Sequence, residues 1–287
     1  MLIRLGYEIE FTFPCDTVTV ALLNVHPSRR SDLMEPDSLL ITPHVDSSEY
    51  VDSFGNLCTR FVAPQGNVRL QNNTLIRDTG WQDESGSGSA QTPVDQLPPE
   101  VLQFLLASRY CEVDKLSDFA WQQFGGCEPG WACVRSISDW VHRNVTFGYQ
   151  FARSTKTASD VLVERNGVCR DFQHLAITLC RSMHIPARYA TGYLGDIGVP
   201  AMDAPMDFSA WFEVYLEGRW WTCDARFNTP RIGRVLIATG RDAADVAITT
   251  SFGASHLTNF TVIAEEVAPS FPPSEEAHWT TVQHASH

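Results

Sequence analysis

The sequence has 287 residues, 44% hydrophobic and 19% charged, enough apolar mass for a buried core in one large or two ordinary domains. The formal net charge is −13 and the pI near 5.0, with Lys and Arg scattered, which excludes the basic stripe that nucleic-acid phosphates require. No stretch approaches the roughly 18 apolar residues of a membrane helix, so no membrane partner is expected and the acidity reads first as solubility.

Residues 1–14 alternate like a strand and lack a continuous apolar run, so no secretory leader is expected there. Residues 7–13, 17–25 and 57–62 read as strands punctuated by Gly, Asn and Pro, the pattern of a small β-sandwich over residues 1–85. The Ser-, Gly- and Pro-rich stretch 83–99 predicts a linker at 86–98. Helices come next: one from Pro99 carrying Val101, Leu102, Leu105 and Leu106, then 117–124, 136–144 and 157–165, the last capped by Thr157 or Ser159. Strands return at 187–193, 210–216, 220–223, 234–238 and 258–264. Segregated helices and strands over 99–267 indicate an α+β core, and a polar, flexible tail is expected at 268–287. The eight cysteines include no CxxC pair, and the Cys127–Cys133 spacing fits no common zinc pattern. Neither a metal nor a cofactor is expected, and reduced thiols in a cytoplasmic setting are the default.

Asn166-Gly167 is a turn signal, and after it Phe172, Leu175, Ala176, Leu179, Cys180 and Met183 recur at helical spacing until Pro186. Cys169 therefore falls in the first turn, off the buried stripe. Unpaired amides and the positive end of the helix dipole favour a thiolate there and can receive an oxyanion. Cys180 lies on the stripe and reads as a core thiol.

Residues 207–228 read as a hairpin with Glu217-Gly218 at its tip. That register sets Trp211 opposite Asp224 and Ser209 opposite Arg226, all on one face. Ser209 and Asp224 are then diagonal neighbours, about 7–8 Å apart at the backbone.

Gly167-Val168-Cys169, the Ile185-Pro186-Ala187-Arg188 strand ending in Gly192-Tyr193, the Ser209-Ala210-Trp211-Phe212-Glu213 strand and Asp224 together resemble the bacterial transglutaminase-like family of putative cysteine proteases. The β-rich start, with its Asp52-Ser53-Phe54-Gly55-Asn56 turn, is similar to the N-terminal domain that accompanies many of these proteins. The likeness covers most of residues 1–265. It implies a papain-like core in which Cys169 is the nucleophile and Asp224 the orienting acid. The chain departs from the family at the base, because Ser209 stands where the family carries its catalytic His. A serine hydroxyl neither accepts a proton near neutral pH nor returns one to a leaving amine.

His174 lies about 140° around the helix from Cys169. His184 sits in the turn after that helix, far from its start; His142 and His256 could each reach the site, though all three read first as surface or structural residues. Asp207 shares the face of Ser209 and is a possible base or substrate-binding group, with a solvated carboxylate as the plainer reading. Trp211 is the hairpin aromatic that could meet substrate. The run 229–246 reads as internal ion pairs shaping a loop more than as a substrate loop. The expected activity is thiol-dependent acyl transfer on peptide or glutamine-like amides, hydrolysis before crosslinking, with a peptide or protein as partner. An inactive transglutaminase-fold binding or scaffold protein is the alternative.

Overall fold

The computed structural model describes residues 1–201 and 205–267, so the tail expected at 268–287 lies outside the described residues. Its strands run β1 (Leu2–Phe13), β2 (Thr17–Ala21), β3 (Leu40–Thr42), β4 (Ser47–Val51), β5 (Leu57–Ala63) and β6 (Gly66–Arg77) before the helices begin. Helices α1 (Pro99–Leu102), α2 (Val113–Phe124) and α3 (Trp131–Asn144) come next, then the short strand β7 (Thr146–Phe147), α4 (Ala158–Glu164) and β8 (Asn166–Gly167). The chain continues through α5 (Cys169–Ser182), β9 (Ala187–Leu194), β10 (Ser209–Leu216), β11 (Arg219–Cys223), β12 (Arg234–Gly240), β13 (Thr249–Ser251) and β14 (His256–Val267).

The core is α+β. Its sheet is antiparallel in the order β11-β10-β9-β12, and α5 lies against β9 and β10 with α2, α3 and α4 packed on its other sides. The apolar stripe of α5 predicts one buried face. Every residue from Asp171 to Ser182 is buried instead, because helices and sheet enclose it all round. The polar residues caught inside are satisfied locally. Thr178 Oγ1 donates to the His174 carbonyl at 2.7 Å, and Arg181 donates to the carbonyls of Ala187, Leu106 and Arg241. Thr157 is the cap of α4: its hydroxyl accepts the Asp160 amide while Asp160 Oδ2 accepts the Thr157 amide.

The β-rich region consists of two four-stranded sheets, β14-β1-β6-β3 and β13-β2-β5-β4, with antiparallel pairing throughout. Alternate side chains of β1 and β6, from Ile3 to Ile76, point into the core as period-two strands require. Two expected boundaries change. Chain order groups residues 249–267 with the helical core, yet β13 pairs with β2 and β14 with β1 along eleven registered positions from Leu2↔Val267 to Thr12↔His256. The composition of 86–98 points to a free linker, but this segment is laid on the core. Ser89 O accepts the Trp131 amide at 3.0 Å, Ala90 N–H donates to Glu217, and Gln91 Nε2 donates to the Met183 and His184 carbonyls. The Asp52–Asn56 turn fastens the two regions together. Asn56 Nδ2 donates to the Thr239 carbonyl and Asn56 Oδ1 accepts the Thr239 amide, at 2.9 and 2.8 Å. Buried apolar residues of both regions form one continuous cluster.

Candidate functional site

Cys169 is the first residue of α5, and Val168, in extended conformation (φ −101°, ψ 178°), is its N-cap. Valine offers no capping oxygen, so Asp171 supplies the carboxylate. The Val168 amide donates to Asp171 Oδ2 at 2.9 Å, and the Asp171 amide returns to the Val168 carbonyl at 2.9 Å. This fold-back explains the glycine two residues before the thiol. A Cβ at Gly167 would stand 2.6 Å from Asp171 Cβ, inside van der Waals contact.

The thiol faces a narrow pocket of about 60 Å³ whose walls include Tyr149, Leu194, Asp207, Ser209 and Arg226. Cys169 as a whole is half-buried, so the group is crowded but not sealed. Burial pushes its thiol up to about 11; the Arg226 guanidinium and the Arg170 amide oppose the rise, and the carboxylates of Asp207 and Asp224 add to it. The thiolate preference expected at a helix start is therefore overturned. Helix-end amides and one guanidinium are outweighed by desolvation and two anions.

The hairpin has the expected register: Leu216 faces Arg219, Tyr215 faces Trp220 and Phe212 faces Cys223. Glu217 and Gly218 both adopt positive φ at the tip, 48° and 83°. Ser209 is buried at the start of β10 and lines the thiol pocket. Asp224 comes directly after β11 and is also buried, but its oxygens are already engaged. Oδ1 accepts from Gln173 Nε2 (3.1 Å) and from the Arg226 and Phe227 amides (2.9 and 3.1 Å), while Oδ2 pairs with Arg234 at 2.9 Å. Arg234, 7% exposed at its side chain, also holds Asp83 Oδ2 at 2.8 Å. Asp224 thus stands in the expected neighbourhood of the thiol, tied to an arginine. Trp211 is 2% exposed; its ring lies over Gly192 and beside the Arg234 guanidinium, 5.2 Å from centroid to Cζ. Closed in this way, it has no surface for substrate, which corrects that expectation.

Two residues that sequence reasoning does not single out bind the site together. Gln173, fully buried one turn after Cys169, donates to Asp224 and to the Ala210 carbonyl and accepts the Ala225 amide, stapling α5 to the hairpin. Its i, i+4 relation to Cys169 is the available signal. Arg234 is visible in the sequence only as one charge in a mixed run. Elsewhere that run forms internal contacts: Arg241 pairs with Asp245, and buried Asp242 accepts the Tyr110 and Ala244 amides.

No histidine among the described residues lines the thiol pocket. His174 is fully buried, stacks on Tyr110 with centroids 4.9 Å apart and accepts the Ala243 amide at Nε2; burial holds its pKa well below the ordinary value. His142 Nδ1 lies 2.8 Å from the Arg226 carbonyl, His184 meets the edge of Trp121, and His256 sits on β14 opposite Thr12.

The family model of the transglutaminase-like superfamily matches residues 118–225, from α2 through Cys169 to the residue after Asp224. Over 95% of this chain and 93% of the other, the fold superposes with a TM-score of 0.80 and 31% identity on the crystal structure of a protein from Cytophaga hutchinsonii described as a "putative cysteine protease". The chain belongs to the transglutaminase-like superfamily. An uncharacterized protein of Mycobacterium leprae is 32% identical over 219 residues, covering 71% of this chain and 75% of its own length. An uncharacterized protein of Mycobacterium tuberculosis (strain H37Rv) is 26% identical over 170 residues, 56% of this chain and about half of that relative (51%). The superfamily match embraces the helix that presents the thiol and the hairpin that faces it, and the Cytophaga likeness extends over the β-rich region as well.

Proposed function

We propose that this chain is a thiol-dependent acyl-transfer enzyme, hydrolysing peptide or glutamine-like amides, in which Cys169 attacks the acyl carbon. The observation that carries the reading is the position of Cys169. Its sulfur opens α5, receives the Arg170 amide and faces a pocket floored by the hairpin of a transglutaminase-like core. Amides at that helix end stabilise the oxyanion that forms when the thiol adds to a carbonyl. Ser209 takes the family's histidine position, and Asp224 organises the polar side through Gln173 and Arg234. The substrate is a peptide or protein, and a cytoplasmic location belongs to the same proposal, resting on eight cysteines that stand as free thiols.

A second reading, a binding or scaffold protein without turnover, is favoured by one observation: the thiol sits near 11 and Asp224 is committed to Arg234, so neither member of a conventional pair is poised. Hydrolysis of a glutamine-containing peptide and of an activated acyl ester, compared between wild type and Cys169→Ser, separates the two. The enzyme reading expects release that falls to background in Cys169→Ser. Wild-type release equal to that of the variant leaves the scaffold reading standing.

A further inference from the structure

We propose that Asp207 is the catalytic base of this site, taking the Cys169 proton that a histidine takes elsewhere in the superfamily; the inference rests on the acyl-transfer reading above. Three observations lead to it. Asp207, Cys169 and Arg226 wall the same small pocket, and the Asp207 charge acts on the sulfur. Asp207 lies two residues before Ser209 on the chain that enters β10, so the strand that would have carried the histidine delivers this carboxylate to the same place. Asp224 accepts four donors and is buried, whereas Asp207 stays open to solvent at the pocket mouth, where a proton can be exchanged.

The electrostatics agree. Among the described residues, the Asp207 carboxylate acts on the sulfur more strongly than that of Asp224. Crowding raises the Asp207 carboxyl above its ordinary value, with the Phe208 amide and Arg226 holding it back, so it is a stronger base than a solvated aspartate. Tyr149 and Asp196 are further titratable residues of the wall; burial and the Asp207 charge keep the Tyr149 phenol protonated, so it is no base, and the Asp196 carboxylate is paired with Arg231 at 3.3 Å. Among the described residues, the groups near the sulfur also include Arg226 beyond β11, Asp224 bound to Arg234, the Arg170 amide on α5 and Tyr189 on β9, whose phenol burial also keeps protonated.

The step balances without any other reagent. The S–H bond breaks with its proton passing to the Asp207 carboxylate, and the sulfur lone pair forms the S–C bond. The carbonyl π pair moves to oxygen at the α5 amides. Collapse of the adduct expels the amine, which takes the proton back from Asp207, leaving a thioester. Water then attacks the thioester with Asp207 accepting its proton; collapse expels the Cys169 thiolate, which takes that proton back, so the acid leaves and the free thiol and the Asp207 carboxylate are restored.

The test uses the full chain with p-nitrophenyl acetate as acyl donor and iodoacetamide as a probe of the thiol that needs no base. Asp207→Asn should lower Cys169-dependent p-nitrophenol release at pH 7 by about 10²-fold or more, in line with the usual contribution of a general base. The same variant should label with iodoacetamide at least as fast as wild type, because the removed carboxylate had disfavoured the thiolate. Asp207→Glu should keep part of the rate. Wild-type release should rise with pH through the Asp207 carboxyl range and then level, and Asp207→Asn should lose that limb and rise only towards the thiol's own range. A structural role would slow labelling and release together. Cys169-dependent release that Asp207→Asn leaves unchanged in rate and pH profile overturns the inference alone. Release that survives Cys169→Ser overturns the acyl-transfer reading with it.

Discussion

At the scale of single residues, the reading proposed above puts Ser209 where a triad would carry its imidazole, and Asp224 has other partners. The carboxylate is balanced by Arg234 and by three N–H donors. A buried carboxylate without partners is costly, and the guanidinium supplies in two directions, to Asp224 and Asp83, the charge that its environment lacks. Placing an imidazole at position 209 therefore does not by itself build a triad. Ser209→His is expected to raise amide hydrolysis by less than about tenfold, well short of the 10²–10⁴ that a well-placed acid–base group contributes. Steady-state kinetics of the variant checks this; a gain of two orders of magnitude would mean that Arg234 yields Asp224 to the new imidazole. The pKa of Cys169 is the part of the site least legible in the sequence. A helix start predicts a depressed thiol, but burial and two anions reverse the sign, and both depend on what the fold brings up to the sulfur.

Among the elements, α5 is legible in position and length because its apolar residues repeat at helical spacing and Pro186 ends it. The hairpin is legible for an equally local reason: Glu217-Gly218 fixes the register, and the register fixes which residues share a face. The cap of α5 is not, since Val168 gives no capping signal and the carboxylate arrives from Asp171. That cap makes Gly167 the most sensitive backbone position near the thiol. Gly167→Ala forces a Cβ into Asp171, and the expected loss is about 1–3 kcal/mol of stability together with a weakened N-cap. Urea unfolding measures the first effect. Unchanged stability would mean that Asp171 moves aside freely and that the reciprocal hydrogen bonds contribute little.

Across the whole molecule, α+β segregation and the β-rich beginning can be read from composition and period, whereas the assembly of the two regions cannot. β13 and β14 come after the core in sequence but pair with β2 and β1, which lie more than 200 residues earlier, and no local pattern encodes so distant a partner. Segment 86–98 has linker chemistry yet is held by Glu217, Trp131 and the turn after α5, because its backbone groups find partners on the core. The result is one large apolar core shared by both regions, with a small satellite cluster around Leu97, Val101 and Tyr215, and with Asn56 and Arg234 as polar ties. Such a frame holds Cys169, Asp207 and Ser209 about one small cavity. The most direct measurement is intact-mass analysis of the full chain quenched in acid during turnover of p-nitrophenyl acetate. An acetyl adduct mapping to Cys169 and absent from Cys169→Ser is the predicted result. No adduct, or one carried by another of the eight cysteines, would contradict the assignment of this sulfur as the acyl acceptor.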